Sequence, residues 1–267
     1  MKAYAIVNEI RKSDDLACLI RYDKSDTFII VLNKDCDGSR LPLILESFFK
    51  KNTFIIDPFW SRRFVESRII PAERQNLTAI LKRYSLKEYN STKLLELSKG
   101  RCAQDECAIV PIAELPAWLL NQQNTLVREV LPLGDETLLL EFTDDRLCTV
   151  DLKPMIQTDR RLSFLNSHPE RIEEVGLIPG GYGISLNGTV CITIEELRDH
   201  LSDHRLTAED LRLYFDATLL ATGEVCNRLH CSRQYINSLV RKNRLQVFRK
   251  LENVQLFRRS DVEKLLW

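Results

Sequence analysis

EVCNRLHCSRQYINSLVRKNRLQVFRKLENVQLFRRSDVEKLL, residues 224–266, holds apolar stripes of helical period on either side of a run that alternates like a strand. Its first stripe belongs to a helix expected over Ala221–Leu229. Thr222 would cap it, Glu224 would favour its N-terminal dipole, and Val225, Cys226 and Leu229 would face inward. His230-Cys231 reads as a turn, and Ser232 as the N-cap of a second helix, Arg233–Asn243. Ile236, Leu239 and Val240 form the inward stripe of that helix. A helix advances about 100° per residue, so Gln234, Ser238 and Arg241 fall opposite the stripe, with Asn237 and Lys242 beside them. Val247, Phe248, Val254, Leu256 and Phe257 flank a turn at 250–253 and predict a hairpin with Arg249 and Lys250 at its tip. Ser260 and Glu263 have capping-box spacing and predict a last helix, with Val262, Leu265 and Leu266 packed inward.

The chemistry of the outward face is distinctive. It carries amides, a hydroxyl and a guanidinium instead of the Glu/Lys mixture of a solubilising face. Gln and Asn match the adenine edge, and Arg matches guanine or a phosphate. Residues 228–259 hold nine basic side chains against one acid, Glu252. Phosphate neutralisation is the main sequence-independent term in DNA binding. The chain as a whole is neutral, with 38 basic and 38 acidic residues, so this concentration is local. It is balanced by residues 125–220, which carry 9 basic and 18 acidic side chains. Two readings of the basic segment follow: it contacts DNA, or it docks on the acidic middle of its own chain.

The ordered set Glu224-Val225, Leu229, Ser232-Arg233, Leu245, Phe257 and Asp261-Val262-Glu263 resembles winged helix-turn-helix domains of the MerR/excisionase type. The resemblance implies that Ser232, Arg233, Gln234, Tyr235 and Asn237 meet base edges or nearby phosphates. Gln234, Asn237, Ser238 and Arg241 would be available to bases, and Lys242, Arg244, Arg249, Lys250 and Arg258 would supply further charge, chiefly to phosphates. One position departs from the pattern: Arg244 stands where a glycine is usual, and would have to end the helix without glycine's freedom at positive φ.

Working towards the N-terminus, residues 126–204 read as a small α+β domain. Thr137–Phe142 and Leu147–Leu152 are strand signals joined by a turn at 143–146, and Asn187-Gly188 is a hairpin signal. VREVLPLGDETLLLEFTDDRLCTVDLKPMI (127–156) followed by YGISLNGTVCITIEEL (182–197) resembles the bacterial family DUF2442. That likeness implies a fold and no chemistry; Arg146 and Leu186 depart from its usual glycine and aromatic. Residues 1–115 predict an α/β domain: strands over 3–10, 18–22 and 27–33, then helices over 41–51 and 58–69, and one opened by Pro71. Trp60, Phe64 and Val65 would form a buried stripe, and Pro111–Thr125 a connector. The fold class expected is therefore α+β multidomain, with modules at 1–115, 126–204 and 207–267.

Other chemistries have little to stand on. The four histidines lack metalloprotease spacing, Gly180-Gly181-Tyr182-Gly183 is followed by no Lys-Ser/Thr, and Asp144, Asp145 and Asp151 suit a turn and a strand end. Cys102-x4-Cys107 and Cys226-x4-Cys231 are wider than most zinc knuckles and read as structural thiols. The N-terminus shows no signal-peptide run, and no apolar stretch is long enough to span a bilayer, so a cytoplasmic protein without cofactor or metal is expected. The sequence thus predicts a bacterial or phage protein, not an enzyme, that binds duplex DNA as a transcriptional regulator or mobile-element accessory protein. One winged module reads a short site, and a homodimer would extend it. The alternative is a protein inhibitor of anti-CRISPR or antitoxin type, binding a protein partner through residues 1–204 and regulating its own gene.

Overall fold

The computed structural model describes residues 1–10, 15–122, 125–202, 207–252 and 254–266. It is mixed α/β, with four small sheets among those residues. The chain forms two compact units, Met1–Gln123 and Asn124–Trp267.

The first unit is built on β1 (Lys2–Asn8), β2 (Ala17–Tyr22), β3 (Thr27–Leu32), α1 (Leu43–Phe49), β4 (Ile55–Ile56), α2 (Pro58–Glu66), α3 (Leu77–Arg83), α4 (Ser91–Ser98), β5 (Cys107–Ile112) and α5 (Ala117–Gln122). The sheet order is β4-β3-β2-β1-β5, antiparallel throughout. Tyr4, Ile6, Leu19, Phe28, Ile30 and Leu32 share one core with Leu45, Phe64, Val65, Leu94 and Leu95 from the helices. Ser61 locks α2 to the sheet: its hydroxyl donates to the Ile56 carbonyl at 2.9 Å and accepts from the Ile30 amide at 3.0 Å.

Three expectations for this unit change. Pro71 opens no helix; α3 begins six residues later. The connector holds the end of an edge strand and a short helix, and Pro111 is tolerated because β5 has a partner on one side only. Trp60 is not buried beside Phe64 and Val65: it is 44% exposed, packed edge-on against Phe48 and Phe59. The polar loop at 100–106 has a structural job. Buried Arg68, stacked 4.5 Å over Phe64, donates to the Gly100 carbonyl at 2.8 Å and pairs with Asp105.

The second unit contains β6 (Val127–Gly134), β7 (Thr137–Phe142), β8 (Leu147–Asp151), α6 (Lys153–Thr158), β9 (Gly176–Leu177), β10 (Gly183–Leu186), β11 (Val190–Thr193), α7 (Ile194–Leu197), β12 (Leu201–Ser202), α8 (Ala208–Thr218), β13 (Leu219–Ala221), α9 (Thr222–Leu229), α10 (Arg233–Arg241), β14 (Arg249–Leu251), β15 (Val254–Arg258) and α11 (Arg259–Glu263). Its sheets run β12-β8-β7-β6, β11-β10-β9 and β13-β15-β14. The Asn187-Gly188 turn has both residues at positive φ, as a tight hairpin between twisted strands requires. Pro154 ends β8 by entering the first turn of α6.

Gly181 ties the long loop before β10 to the start of β6. Its carbonyl accepts from the Val127 amide at 2.8 Å, its φ is +80°, and a Cβ there would sit 2.3 Å from the Val127 carbonyl oxygen. Gly181→Ala should therefore destabilise this unit by about 1–3 kcal/mol. A urea denaturation midpoint equal to the parent's would show that the loop yields freely.

The segments 126–204 and 207–267, expected as separate modules, lie within one compact unit. Sequence reading missed α8, whose Thr207 hydroxyl and Asp210 carboxylate form a capping box, and also the short strand β13.

Candidate nucleic-acid interface

The interface is assembled by helix ends. The Ala221 amide donates to Glu224 at 2.7 Å, so the glutamate closes the start of α9. Thr222 does not cap; it is the first residue of α9, and its hydroxyl reaches the Gln255 carbonyl at 3.5 Å. At the other end His230 adopts the left-handed conformation (φ 48°), and the Cys231 amide bonds the Cys226 carbonyl at 3.0 Å. Ser232 then caps α10, accepting from the Tyr235 amide at 3.3 Å.

The end of α10 repeats the device. Asn243 takes the left-handed position (φ 53°), and the Arg244 amide bonds the Leu239 carbonyl at 2.9 Å. The glycine-like duty expected of Arg244 thus falls on Asn243, a residue that tolerates it. Arg244 itself is exposed.

Val225, Ile236, Leu239, Leu245, Phe257 and Val262 form one buried cluster, with Val240, Leu229, Cys226 and Cys231 packed against it. This fixes the rotation of α10. Ser232, Arg233, Gln234, Tyr235, Asn237, Arg241 and Lys242 are exposed; Ser238 is half-buried and less accessible than its helical phase suggested. The hairpin of β14 and β15 follows, with Arg249 paired to Leu256 and Lys250 to Gln255. Arg249 and Lys250 therefore lie along β14, exposed, and not at its tip; Asn253, placed in the expected turn, is outside the described residues. Arg233, Arg241, Lys242, Arg244, Arg249 and Lys250 form no ion pair with another described residue.

A groove of about 350 Å³ runs between α10 and the hairpin. Arg233 and Asn237 line one wall, Lys250 and Gln255 the other, and Thr222 and Gly223 bring the N-terminus of α9 to it. Glu252 also borders the groove and sets a local limit on its positive potential.

Arg258 is placed elsewhere. Its Nη1 donates to Glu141 at 2.8 Å, so this residue, expected on a phosphate, is held by an internal carboxylate. The next two residues behave alike. Arg259 donates to Glu129 through Nε (3.0 Å) and Nη2 (2.8 Å), and the Ser260 amide donates to the other oxygen of Glu129 at 2.6 Å. Ser260 is thus not an N-cap; Arg258 holds that place, and Glu129 of β6 supplies the anion at the start of α11. Leu266, expected inside, is 42% exposed.

Glu129 and Glu141 stand directly opposite each other on β6 and β7, both buried. Like charges so placed repel, unless counter-charges are supplied. Arg128, Arg258 and Arg259 supply them, and the Tyr214 hydroxyl of α8 donates to Glu141. Burial still pushes the Glu129 carboxyl above the usual range, against the pull of Arg259 and the Ser260 amide. Burial and the bond to Glu141 push the Tyr214 hydroxyl up. Sequence reading passed over this cluster. Its signal was Glu129, beside Arg128, and Glu141 inside the largely apolar strands VREVLPL and TLLLEF.

The eight cysteines are free thiols, and no group of three or more His, Cys, Asp or Glu among the described residues is arranged to hold a metal ion. No helix among them is long and apolar enough to cross a membrane. Compared with known proteins, the chain matches no family model, no curated protein and no solved structure.

Proposed function

We propose that this protein binds duplex DNA through residues 207–267, acting as a winged helix-turn-helix of the MerR/excisionase type in a transcriptional regulator or mobile-element accessory protein. In this reading α10 is the recognition helix and the β14–β15 hairpin is the wing. Residues 126–204 are a DUF2442-like α+β domain, and residues 1–115 a further domain. The observation that carries the reading is the set of six exposed cations on α10, its C-terminal turn and the hairpin. None is ion-paired to a described residue, and they stand beside a groove whose walls carry Arg233 and Lys250. Docking on the acidic middle uses Arg258 and Arg259, and so leaves that set unspent.

Gln234, Asn237 and Arg241 are offered to base edges, with Ser232 and Tyr235 at the start of the helix; Arg233, Lys242, Arg244, Arg249 and Lys250 are offered to phosphates. Selection of full-length protein against random duplex pools at low salt tests the reading. Enrichment of a short motif is expected, and absence of any retained duplex overturns it. Arg241→Ala should then cost about 1–3 kcal/mol and relax preference at one position, as removal of a base-reading side chain does. An equal weakening on every sequence would move Arg241 to the phosphates.

A second reading has its own support. Leu43 and Ile44 on α1 and the packed pair Phe59 and Trp60 on α2 are exposed apolar side chains of the kind a protein partner covers. An inhibitor of anti-CRISPR or antitoxin type, with DNA binding reserved for control of its own gene, would use both surfaces. A homodimer would double the short site that a single module reads.

A further inference from the structure

We propose that Cys226 and Cys231 are a redox pair that closes reversibly to an intrachain disulfide and resets the start of the recognition helix. The effect on DNA rests on the function proposed above; formation of the bond does not.

The backbone already holds the two residues together. The hydrogen bond from the Cys231 amide to the Cys226 carbonyl, at 3.0 Å, joins the last residue of a helix-ending motif to its first. The path from Cα to carbonyl oxygen, across that bond and on to the second Cα, spans at most roughly 7 Å, close to the upper bound for a disulfide. In this motif the side chains at these two positions frequently meet. Both are half-buried on one apolar cluster, and both are free thiols. Cys226 is the neighbouring group that acts on the Cys231 thiol. Burial, reinforced by Cys226, pushes the Cys231 thiol up.

A small disulfide is a sufficient oxidant. One cysteine thiolate attacks a sulfur of RSSR, expelling one RS⁻ and leaving a mixed disulfide. The second thiolate attacks the protein sulfur of that mixed disulfide and expels the other RS⁻. The two protons released from the cysteines end on two RSH, so the protein pair is oxidised as RSSR is reduced. The attacking species is the thiolate, and the raised Cys231 makes it scarce at neutral pH. Closure should therefore accelerate as pH rises towards the thiol's own range.

Closure ties the two sulfurs by a bond of about 2 Å. Cys231 is drawn towards the last turn of α9. Ser232, the next residue, is the cap on which the first turn of α10 depends, and that turn carries Arg233, Gln234 and Tyr235. The oxidised form is expected to bind duplex about tenfold more weakly, a difference near 1.4 kcal/mol.

The test uses the full chain, incubated with oxidised glutathione or with dithiothreitol. Peptide mapping by mass spectrometry should find a Cys226–Cys231 disulfide that dithiothreitol reopens, while buried Cys18 stays reduced. Cys226→Ser should leave Cys231 unable to close, giving at most a glutathione adduct. Amide exchange at residues 232–236 should differ between the two states whether or not DNA is present. Two thiols that remain open or separately glutathionylated at saturating oxidant overturn the pair. A disulfide that leaves exchange in that turn unchanged overturns the resetting. Failure of the reduced protein to bind any duplex would count against the DNA reading alone, because mapping and exchange are read without it.

Discussion

Glu129→Ala should destabilise the 124–267 unit by about 3–5 kcal/mol, the scale for removing one partner of a buried ion pair. The carboxylate takes three hydrogen bonds from Arg259 and the Ser260 amide, at 2.6–3.0 Å. Alanine would leave the half-buried Arg259 guanidinium without its counter-charge, held only by the Val130 carbonyl at 3.0 Å, and the buried Ser260 amide without an acceptor. In a thermal melt the drop should be on the order of 10 °C.

The double variant Glu129→Met with Arg259→Met distinguishes a missing charge from missing packing. A buried pair replaced as a whole by apolar groups costs little, because neither charge is left without its counter-ion. The double variant should therefore be more stable than Glu129→Ala. If both melt alike, the site is held by packing, and the charge pairing is incidental. If Glu129→Ala melts with the parent, the cluster does not hold α11 to β6 at all.

This cluster also marks where sequence reading reached its limit. The helices and the hairpin at the C-terminus were legible because each carries its own local signal: the apolar stripe Ile236, Leu239 and Val240, the cap Ser232, and the alternation around Phe257. Strands β1, β2 and β3 of the first unit were legible for the same reason, whereas β4 and β5 were not. What no local signal carries is pairing across distance. Ser260 and Glu263 have capping-box spacing, yet the start of α11 is served by Glu129, 131 residues earlier. Arg258 goes by charge with the residues expected on phosphates, and by position with Glu141. Helix ends misled for a related reason. Asn243 and Arg244 are adjacent, and a one-residue shift in where α10 stops decides which needs the left-handed conformation. The isolated segment 207–267 would lack Glu129 and Glu141, so tests of DNA binding belong on the full chain.

Reversing both walls of the groove, with Arg233→Glu and Lys250→Glu together, should abolish duplex binding at physiological salt. Each residue is exposed, and neither is ion-paired to a described residue, so neither holds the fold. Stability should stay within about 0.5 kcal/mol of the parent, as for surface positions generally. Binding is another matter. Each phosphate no longer neutralised takes about one unit from the slope of log affinity against log salt, and each new carboxylate repels the same phosphate. With Glu252 already bordering the groove, the pair of substitutions leaves three acids around a space that now has one. The single variants Arg233→Ala and Lys250→Ala should each weaken binding on every sequence and reduce the slope by about one. A sequence-selective weakening from Arg233→Ala would instead place that guanidinium on a base edge. Retention of full affinity by the double reversal would mean that the groove does not face the phosphates, and that α10 meets DNA through its Gln234 and Arg241 side alone.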